Sequence, residues 1–466
     1  MKKIVGKYVT LVEYDCRMNL NKFTKIFHSS DKRNNNLRNN ILLSGLMKAT
    51  GMLTSFLIVP VTLHYLDNEI YGIWMTITSI LMWFSFFDVG LGNGMRNYMT
   101  QAISANDYKT ARAYLSTTLC VLTLISIGLG LLCIPCLALD FNKIFNTYAL
   151  SNDILKNALF IAVLFTLANF VLKNIGFVFI ALQKYGLNDV LTTAGSVLGL
   201  IIVFILTKTT QGNLLYVVTA FTLSPVLVYL IAAIPIFRKY KQLRPSWKYY
   251  DKQLLKNIVG KGLGFFAIQI TSCLIIFGGS NVIISHFCGP TSVTVYNIAY
   301  KLFNLLAIAY TVIISPMWNA YTDAQVRGDY TWIKTTFNKA LRLWGLSVIG
   351  GLMLLAICNI FYKVWVGPSV TVPIQISAVV LLYISSFNFN NCVTYLLNGL
   401  NKITVQIITS VAGTILYLLF ILLFGGKIGM KGIILSMAVC YILMGTVHLY
   451  QCRLLIDKKA KGIWNK

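Results

Sequence analysis

The chain contains 466 residues, of which 57% are hydrophobic and 12% are charged, and its mean hydropathy is +0.70. A soluble domain could not bury so many apolar side chains, because its own surface must stay in contact with water. The net charge of +26 would suggest nucleic-acid binding in a soluble protein. Here the basic residues lie between apolar runs, with no basic patch interleaved with exposed aromatic residues, so no nucleic-acid partner is expected.

Apolar runs of membrane-spanning length recur along the chain, since a helix of about 20 residues crosses about 30 Å of hydrocarbon. The predicted spans are Ile41–Leu63, Tyr71–Gly92, Ala113–Leu139, Ile154–Leu182, Leu187–Thr207, Leu214–Phe237, Gly262–Phe287, Val293–Trp318, Lys339–Cys358, Val372–Leu397, Ile403–Phe424 and Lys431–Gln451. The pattern predicts an all-α integral membrane protein of about twelve spans. The expected divisions are a basic cytoplasmic tail (1–40), an N-lobe (41–237), a cytoplasmic linker (238–261), a C-lobe (262–452) and a second basic tail (453–466).

The distribution of Lys and Arg predicts the orientation of these spans. With alternating spans, 31 of the 40 basic residues fall on the side of both termini and the linker, five fall on the other side, and four lie within the spans. Because cytoplasmic loops carry an excess of Lys and Arg, both termini are predicted to be cytoplasmic.

The two halves of the sequence resemble each other. A shift of 222 residues aligns 61–65 with 283–287 and 106–108 with 328–330, and a shift of 218 aligns 181–184 with 399–402 and 194–196 with 412–414. Each half has an even number of spans, so the halves are predicted to be parallel repeats related by an axis along the membrane normal. This architecture places a cavity between two bundles, as alternating access requires.

Charged residues within spans are the first candidates for a functional site, because a charge at mid-bilayer costs about 2.5–3.5 kcal/mol on insertion scales. Lys301 is the ninth residue of its span. It belongs to a polar stripe on an otherwise apolar helix, which is expected to face water or protein. The stripe consists of Asn297, Lys301, Asn304, Thr311, Ser315 and Asn319. We predict that Lys301, Asn297 and Asn304 line the substrate cavity.

Lys173, its repeat-mate Asn391 and Lys48 are further candidates for the cavity. Each has an alternative explanation: Lys48 can reach the cytoplasmic interface, Lys173 can bind helix carbonyls, and the Asn-rich tenth span can hydrogen-bond to other helices. Few acidic residues approach the spans, so a cavity with fixed Lys favours an anionic cargo such as a pyrophosphate. The Cys133–Cys136 pair lacks the βαβ or His context of a redox or metal motif, and no metal or cofactor is expected.

A glycine-rich stretch from Asp88 to Asn97 lies at the predicted cytoplasmic end of the second span. No strand precedes it, which argues against a dinucleotide motif. Its glycines allow the helix to bend or to approach a neighbour closely, and Asp88 and Arg96 are expected to form either an interfacial ion pair or a gate there.

This stretch, together with Tyr71–Trp74, Asp107–Arg112 and Ala181–Lys184, resembles the polysaccharide transporter family of O-antigen and capsule-repeat flippases. That family belongs to the multidrug/oligosaccharidyl-lipid/polysaccharide exporter superfamily. The resemblance, over about residues 41–455, implies a V-shaped pair of six-helix lobes. It also implies that Asp88, Gly90, Gly92, Arg96 and Asn97 have structural or gating roles.

The resemblance further implies a function: flipping of an undecaprenyl-pyrophosphate oligosaccharide across the bacterial inner membrane, with H⁺ or Na⁺ coupling. Membrane lipids and polysaccharide polymerase or assembly proteins are the implied partners, and a monomer without enzymatic activity is expected. One alternative is a drug or metabolite exporter of the same fold, although the first span lacks the buried acid of the drug-exporting relatives. Another is a membrane polymerase or glycosyltransferase, although the predicted outside loops are short and only four His are present.

Overall fold

The computed structural model describes residues 32–88, 90–259, 279–368 and 370–465, and these residues form helices without strands. In chain order the helices are α1 (Lys32–Leu66), α2 (Asn68–Phe84), α3 (Leu91–Ser104), α4 (Tyr108–Cys133), α5 (Phe141–Phe145), α6 (Asn152–Leu172), α7 (Asn174–Ala181), α8 (Tyr185–Thr209), α9 (Leu214–Lys239), α10 (Lys252–Val259), α11 (Ser280–Cys288), α12 (Pro290–Ile314), α13 (Met317–Val326), α14 (Tyr330–Trp365), α15 (Ile374–Gly399) and α16 (Thr404–Ile456). Ten helical stretches in these ranges are long and apolar enough to cross a membrane.

The ten stretches accommodate eleven of the twelve predicted spans, because α16 contains two. Its backbone turns at Gly429, where φ is 58° and ψ is −172°. Beyond this turn the chain runs back, and His448 Nε2 lies 2.7 Å from Thr409 Oγ1. The predicted seventh span, Gly262–Phe287, lies mostly outside the described residues, and its last part belongs to α11.

The internal repeat predicted from the sequence is confirmed by the backbone. Asp107 and Asp329, 222 residues apart, each accept a hydrogen bond from the main-chain N–H three residues later, at the start of α4 and of α14. Three pairs of turn residues share a positive φ at the predicted shifts. They are Asp67 (69°) with Gly289 (80°), Asn106 (58°) with Gly328 (73°), and Gln183 (63°) with Asn401 (54°).

Three apolar clusters show how the two lobes are arranged. One cluster contains residues of both lobes, such as Tyr71 and Val217 with Phe303 and Tyr441. A second cluster, around Met95, contains residues of the N-lobe and the linker, and a third contains residues of the C-lobe and the start of the second tail. The lobes therefore share a core at one end, here called the closed end, and separate towards the other, here called the open end. Both ends of the described chain lie at the open end.

Helices α2 and α12 form the main contact between the lobes at the closed end. A Cβ atom added to Gly72 would lie 1.9 Å from the carbonyl oxygen of Pro290, so the glycine permits this close approach. Thr294 Oγ1 donates to the carbonyl oxygen of Asn68 at 2.6 Å, and Ser285 Oγ donates to that of Phe145 at 2.9 Å. Backbone packing and hydrogen bonds thus both join the lobes.

The predicted linker is folded against the N-lobe over its described part. Arg112 of α4 donates from Nε to the carbonyl oxygen of Arg244 at 2.6 Å, and its guanidinium lies 4.0 Å from the centre of the Tyr249 ring. The main-chain N–H of Ser246 and of Asp251 donate to hydroxyls of α4. The predicted N-terminal tail lies outside the described residues up to residue 31, and its remaining residues extend α1.

The outer faces of the helices carry exposed apolar side chains. Leu132, Val364 and Leu422 are 73%, 83% and 76% exposed. Such surface is unfavourable in water and suited to lipid. The exposed leucines and valines therefore support a multi-pass membrane protein.

Candidate functional site: a polar seam between the lobes

The site begins at a proline inside α1. Pro60 has no N–H, so the carbonyl of Phe56 loses its helical partner. Trp365 of the C-lobe supplies a replacement, because its Nε1–H donates to the Phe56 carbonyl at 3.0 Å. Its indole ring also packs against the Phe56 ring, with centroids 5.1 Å apart.

Lys301 of α12 binds the carbonyl of α1 that precedes the Phe56 carbonyl. Its ammonium nitrogen donates to the carbonyl oxygen of Ser55 at 2.8 Å. Lys301 and Trp365, both from the C-lobe, therefore bind two successive carbonyls of one N-lobe helix, and we call this pair of bonds the latch. Lys301 is predicted from the sequence to line a cavity for an anionic cargo. In this structure its bond crosses the lobe boundary to a neutral carbonyl.

A cavity of about 820 Å³ lies on the closed-end side of the latch. Pro60, His64, Asn68, Gln211 and Pro368 are among its lining residues. The latch thus lies between this outer cavity and the more central part of the interface between the lobes, here called the seam.

A second cavity, of about 460 Å³, lies between α2 of the N-lobe and α11, α12 and α15 of the C-lobe. Asn297 is part of its wall and donates from Nδ2 to Asn281 Oδ1 at 3.0 Å, while its role in holding a substrate stays a prediction. Asn281 in turn donates to Ser79 Oγ at 2.7 Å and to the carbonyl oxygen of Met75. An amide chain therefore connects the lobes beside the cavity.

Aromatic side chains form the other wall of this central cavity. The rings of Tyr296 and Tyr300 lie 5.7 Å apart, and those of Tyr300 and Tyr383 lie 6.3 Å apart. Tyr296 and Tyr383 are buried and Tyr300 is half-buried. The other described lining residues are Thr78, Met82, Phe86 and Ser280, so no charged side chain is among the described residues of the lining.

Lys48 is exposed and lies seven residues before Ser55 on α1. Seven residues are about two turns and about 10 Å along the helix, so Lys48 is on the side of α1 that receives Lys301. Asn304 is half-buried one turn beyond Lys301, while Ile308 and Val312 are exposed on the same side of α12. The surface between Lys301 and the open end is therefore a mixed polar and apolar one.

Lys173 lies elsewhere, at the break between α6 and α7. Its Nζ is 3.7 Å from Asp88 Oδ2, and the two side chains are 29% and 14% exposed. Its charge is thus compensated within the N-lobe. The expected Asp88–Arg96 pair does not form in the described structure, because Asp88 pairs with Lys173 and the guanidinium of Arg96 approaches Asn97 Oδ1 at 3.4 Å.

The glycine motif builds the start of α3. Gly90 precedes the helix with φ of 74°, a conformation that favours glycine, and Asp88 Oδ1 accepts from the main-chain N–H of Gly92 at 3.1 Å. A Cβ at Gly92 would lie 2.4 Å from the Phe177 ring. The motif therefore joins the break after α2 to the helix α7, which fits the predicted structural role. A gating role stays a prediction.

The Asn-rich tenth span forms hydrogen bonds inside the C-lobe. Asn390 Oδ1 lies 3.0 Å from Nδ1 of the fully buried His448, and Asn388 Nδ2 approaches the carbonyl oxygen of Leu306 at 3.5 Å. Asn391 is half-buried, and its predicted cavity role stays a prediction.

Trp365, Tyr300 and Asn281 belong to the seam and were absent from the sequence-based candidates. Pro60 was the signal for Trp365, since a proline within a span leaves a carbonyl that needs a donor. The sequence contains no comparable signal for the tyrosines, which resemble any aromatic residue in an apolar helix. Within the described ranges, no group of three or more His, Cys, Asp or Glu could hold a metal ion.

Comparison with known proteins finds relatives that are named for polysaccharide biosynthesis or for O-antigen transport or export. A family model described as polysaccharide biosynthesis protein matches residues 37–318. A protein of Salmonella typhi provisionally named an O-antigen transporter is 22% identical over 66% of this chain and 68% of its own length. A protein of Yersinia pseudotuberculosis provisionally named an O-antigen export protein is 22% identical over 58% of this chain and 61% of its own length.

Solved structures of transporters share the fold. A multidrug resistance MATE family transporter of the MOP superfamily, in its inward-facing conformation, has a TM-score of 0.73 at 15% identity, covering 90% of this chain and all of that one. A MOP superfamily transporter from Pyrococcus furiosus has a TM-score of 0.54 at 15% identity, covering 94% of this chain and 98% of that one. The two-lobe fold is the property that these likenesses establish.

Proposed function

The chain belongs to the polysaccharide biosynthesis protein family, and we propose that it moves a lipid-linked oligosaccharide across a membrane by alternating access. One observation carries the proposal. Two repeated lobes share an apolar core at the closed end and separate towards the open end, with a polar seam between them. Such a seam can face one side of a membrane at a time when the lobes rock against each other.

The names of the relatives support the class of cargo. The similar proteins of Salmonella and Yersinia are named for O-antigen transport or export. O-antigen repeats are assembled on a prenyl pyrophosphate, so the proposed cargo has a sugar part, a charged part and a lipid part. The lipid would stay in the bilayer at the gap between the lobes while the polar parts enter the seam.

Charge distribution supports an orientation with the open end in the cytoplasm. The linker, both chain ends and the loops before α4, α8 and α14 lie at the open end, and 31 of the 40 Lys and Arg fall on that side. We propose a bacterial inner membrane as the location. H⁺ or Na⁺ coupling, a monomeric state and contacts with polymerase or assembly proteins are proposed from the family resemblance.

The positive charges that remain available for the cargo lie towards the open end. Lys48 is exposed on the seam side of α1, whereas Lys173 is paired with Asp88. We propose that Lys48 attracts the pyrophosphate, and that Lys301 joins it once the latch opens. A cationic-drug exporter is less well supported, because the lining of the central cavity, over the part of the chain that the structure describes, has no Asp or Glu to receive a cation.

The test is a deletion of the gene in its native strain, followed by extraction of lipid-linked repeat units. We expect these units to accumulate on the cytoplasmic side, out of reach of periplasmic ligases, and to return to normal when the intact gene is supplied. Unchanged polysaccharide export and unchanged intermediates in the deletion strain would refute the proposal. Increased sensitivity to cationic drugs, with normal polysaccharide, would favour the exporter instead.

A further inference from the structure

We infer that the central cavity recognises the uncharged sugar rings of the cargo, and that it does so without contacting the pyrophosphate. This inference rests on the proposed function and specifies which part of the cargo occupies which part of the seam. The ligand class is a pyranose with free hydroxyl or acetamido groups.

The first argument is the hydrogen-bonding capacity of the cavity wall. Both hydrogens of the Asn297 amide are engaged, one by Asn281 and one by the carbonyl oxygen of Val293 at 2.8 Å. Thr78 and Ser79 donate their hydroxyl hydrogens to the carbonyl oxygen of Met75, at 2.8 and 3.1 Å. The amide and hydroxyl groups of this wall therefore have oxygen acceptors left for a ligand, while the tyrosine hydroxyls of the opposite wall can donate as well as accept.

The oxygen acceptors of this wall suit ligands that donate. Sugar hydroxyls and acetamido N–H groups are donors, whereas the oxygens of an ionised phosphate only accept. Since no Lys or Arg is among the described residues that line the cavity, a phosphate there would have no compensating positive charge. The wall therefore favours neutral sugars over the pyrophosphate.

The second argument is the aromatic face. Tyr300 is half-buried at the cavity and is held by the rings of Tyr296 and Tyr383, so its orientation is fixed before a ligand arrives. The apolar C–H face of a pyranose packs well on such a ring, and Tyr binds with little loss of conformational entropy. A volume of about 460 Å³ lies within the range of small-molecule sites.

The third argument is the order of the groups along the seam. Asn297 precedes Lys301 by one turn on α12, and Lys48 lies about 10 Å from the latch towards the open end. A cargo that enters from the open end with its sugars leading would place the rings in the central cavity and the pyrophosphate near the lysines. The order of neutral and charged groups in the cargo matches that of the protein.

Binding of two synthetic probes to the full-length protein in nanodiscs tests the inference. One probe is farnesyl pyrophosphate carrying a neutral N-acetylglucosamine disaccharide, and the other is farnesyl pyrophosphate without sugar. Thr78→Val removes one acceptor while preserving side-chain shape, and we expect it to weaken binding of the glycosylated probe about three- to tenfold. Binding of the sugar-free probe should not change.

Matched variants control for general damage. Thr207 makes the same type of bond, from its hydroxyl to the carbonyl oxygen three residues earlier, and lies half-buried outside the cavity. Thr207→Val should therefore change neither affinity. Tyr300→Leu should weaken binding of the glycosylated probe, and Tyr300→Phe should retain it because the ring is kept.

Three results would overturn the inference: equal binding of both probes by the unmodified protein, equal loss of both probes in Thr78→Val, or no loss of either in Thr78→Val and Tyr300→Leu. Each of these can occur while the deletion strain still accumulates lipid-linked repeat units, in which case the proposed function stands and the assignment of the cavity falls. Normal intermediates in the deletion strain would remove the proposed function itself.

Discussion

The latch beside Pro60 leads to a prediction about the conformational equilibrium. Lys301→Ala removes the bond to the Ser55 carbonyl and leaves the rest of the lobe contact in place. We expect the closed end to separate more often in this variant, because one of the two latch bonds that hold α1 to the C-lobe is gone. Trp365→Phe, which removes the other latch bond without changing the charge, should act in the same direction.

The magnitude follows from the type of bond. A hydrogen bond from a charged donor contributes about 1.5–3 kcal/mol. Partial exposure of Lys301 places its share at the lower end of that range. A loss of about 1.5 kcal/mol corresponds to about a tenfold rise in the ratio of separated to joined closed ends. The indole bond is neutral, so Trp365→Phe should produce a smaller rise, of about threefold to tenfold.

Distance measurements between spin labels can detect this change. Tyr148 in the N-lobe and Lys427 in the C-lobe are exposed near the closed end and suit labels on non-natural amino acids, which leave the ten native Cys unmodified. The longer-distance population should increase in both latch variants. Lys156→Ala removes another lysine from a predicted span and should leave the distribution unchanged.

The same data separate the latch from the cargo interpretation of Lys301. If Lys301→Ala abolishes transport while the distance distribution stays unchanged, Lys301 serves the cargo and the latch argument is refuted. If both latch variants shift the distribution together, the bond across the lobes is the property that matters.

Two further predictions concern the N-lobe motif and the lobe contact. Alanine variants of Asp88 and Lys173, alone and combined, should show a coupling of about 0.5–1 kcal/mol in a double-mutant cycle of thermal unfolding, since their ion pair is part-buried; additive effects would show that the pair contributes nothing. Gly72→Ala should shift the labelled closed end towards longer distances, because its Cβ would overlap the carbonyl oxygen of Pro290; an unchanged distribution would mean that α2 and α12 adjust locally.

The sequence predicted the helical class, the repeat and most of the spans, because these depend on local patterns. A span needs only a run of apolar residues, and the repeat needs only two similar runs with matching turns, as at Asn106 and Gly328. The break between α6 and α7 at Lys173 was missed, since both segments are apolar and no proline marks the junction.

Partners across the lobes could not be predicted from local patterns. The position of Trp365 beside Phe56 is set by how two separately patterned bundles meet. Pro60 marks the Phe56 carbonyl as needing a donor, but nothing near it indicates which residue donates. For Lys301 the sequence identified a charge that needed a partner, but a carbonyl partner and an anionic cargo satisfy that need equally well. Asp88 was assigned to Arg96 because Arg96 is near in sequence, whereas the folded chain places Lys173 closer.

The apolar cluster shared by both lobes has a consequence for membrane integrity. Separating the lobes there exposes side chains such as Tyr71 and Phe303 to water, at a cost of about 25 cal/mol for each Å². A bulky guest wedged between the bundles can cover part of that surface, whereas an empty carrier has nothing to cover it. Resting molecules would therefore stay sealed towards the far compartment, and small ions would not leak while the carrier waits for its load.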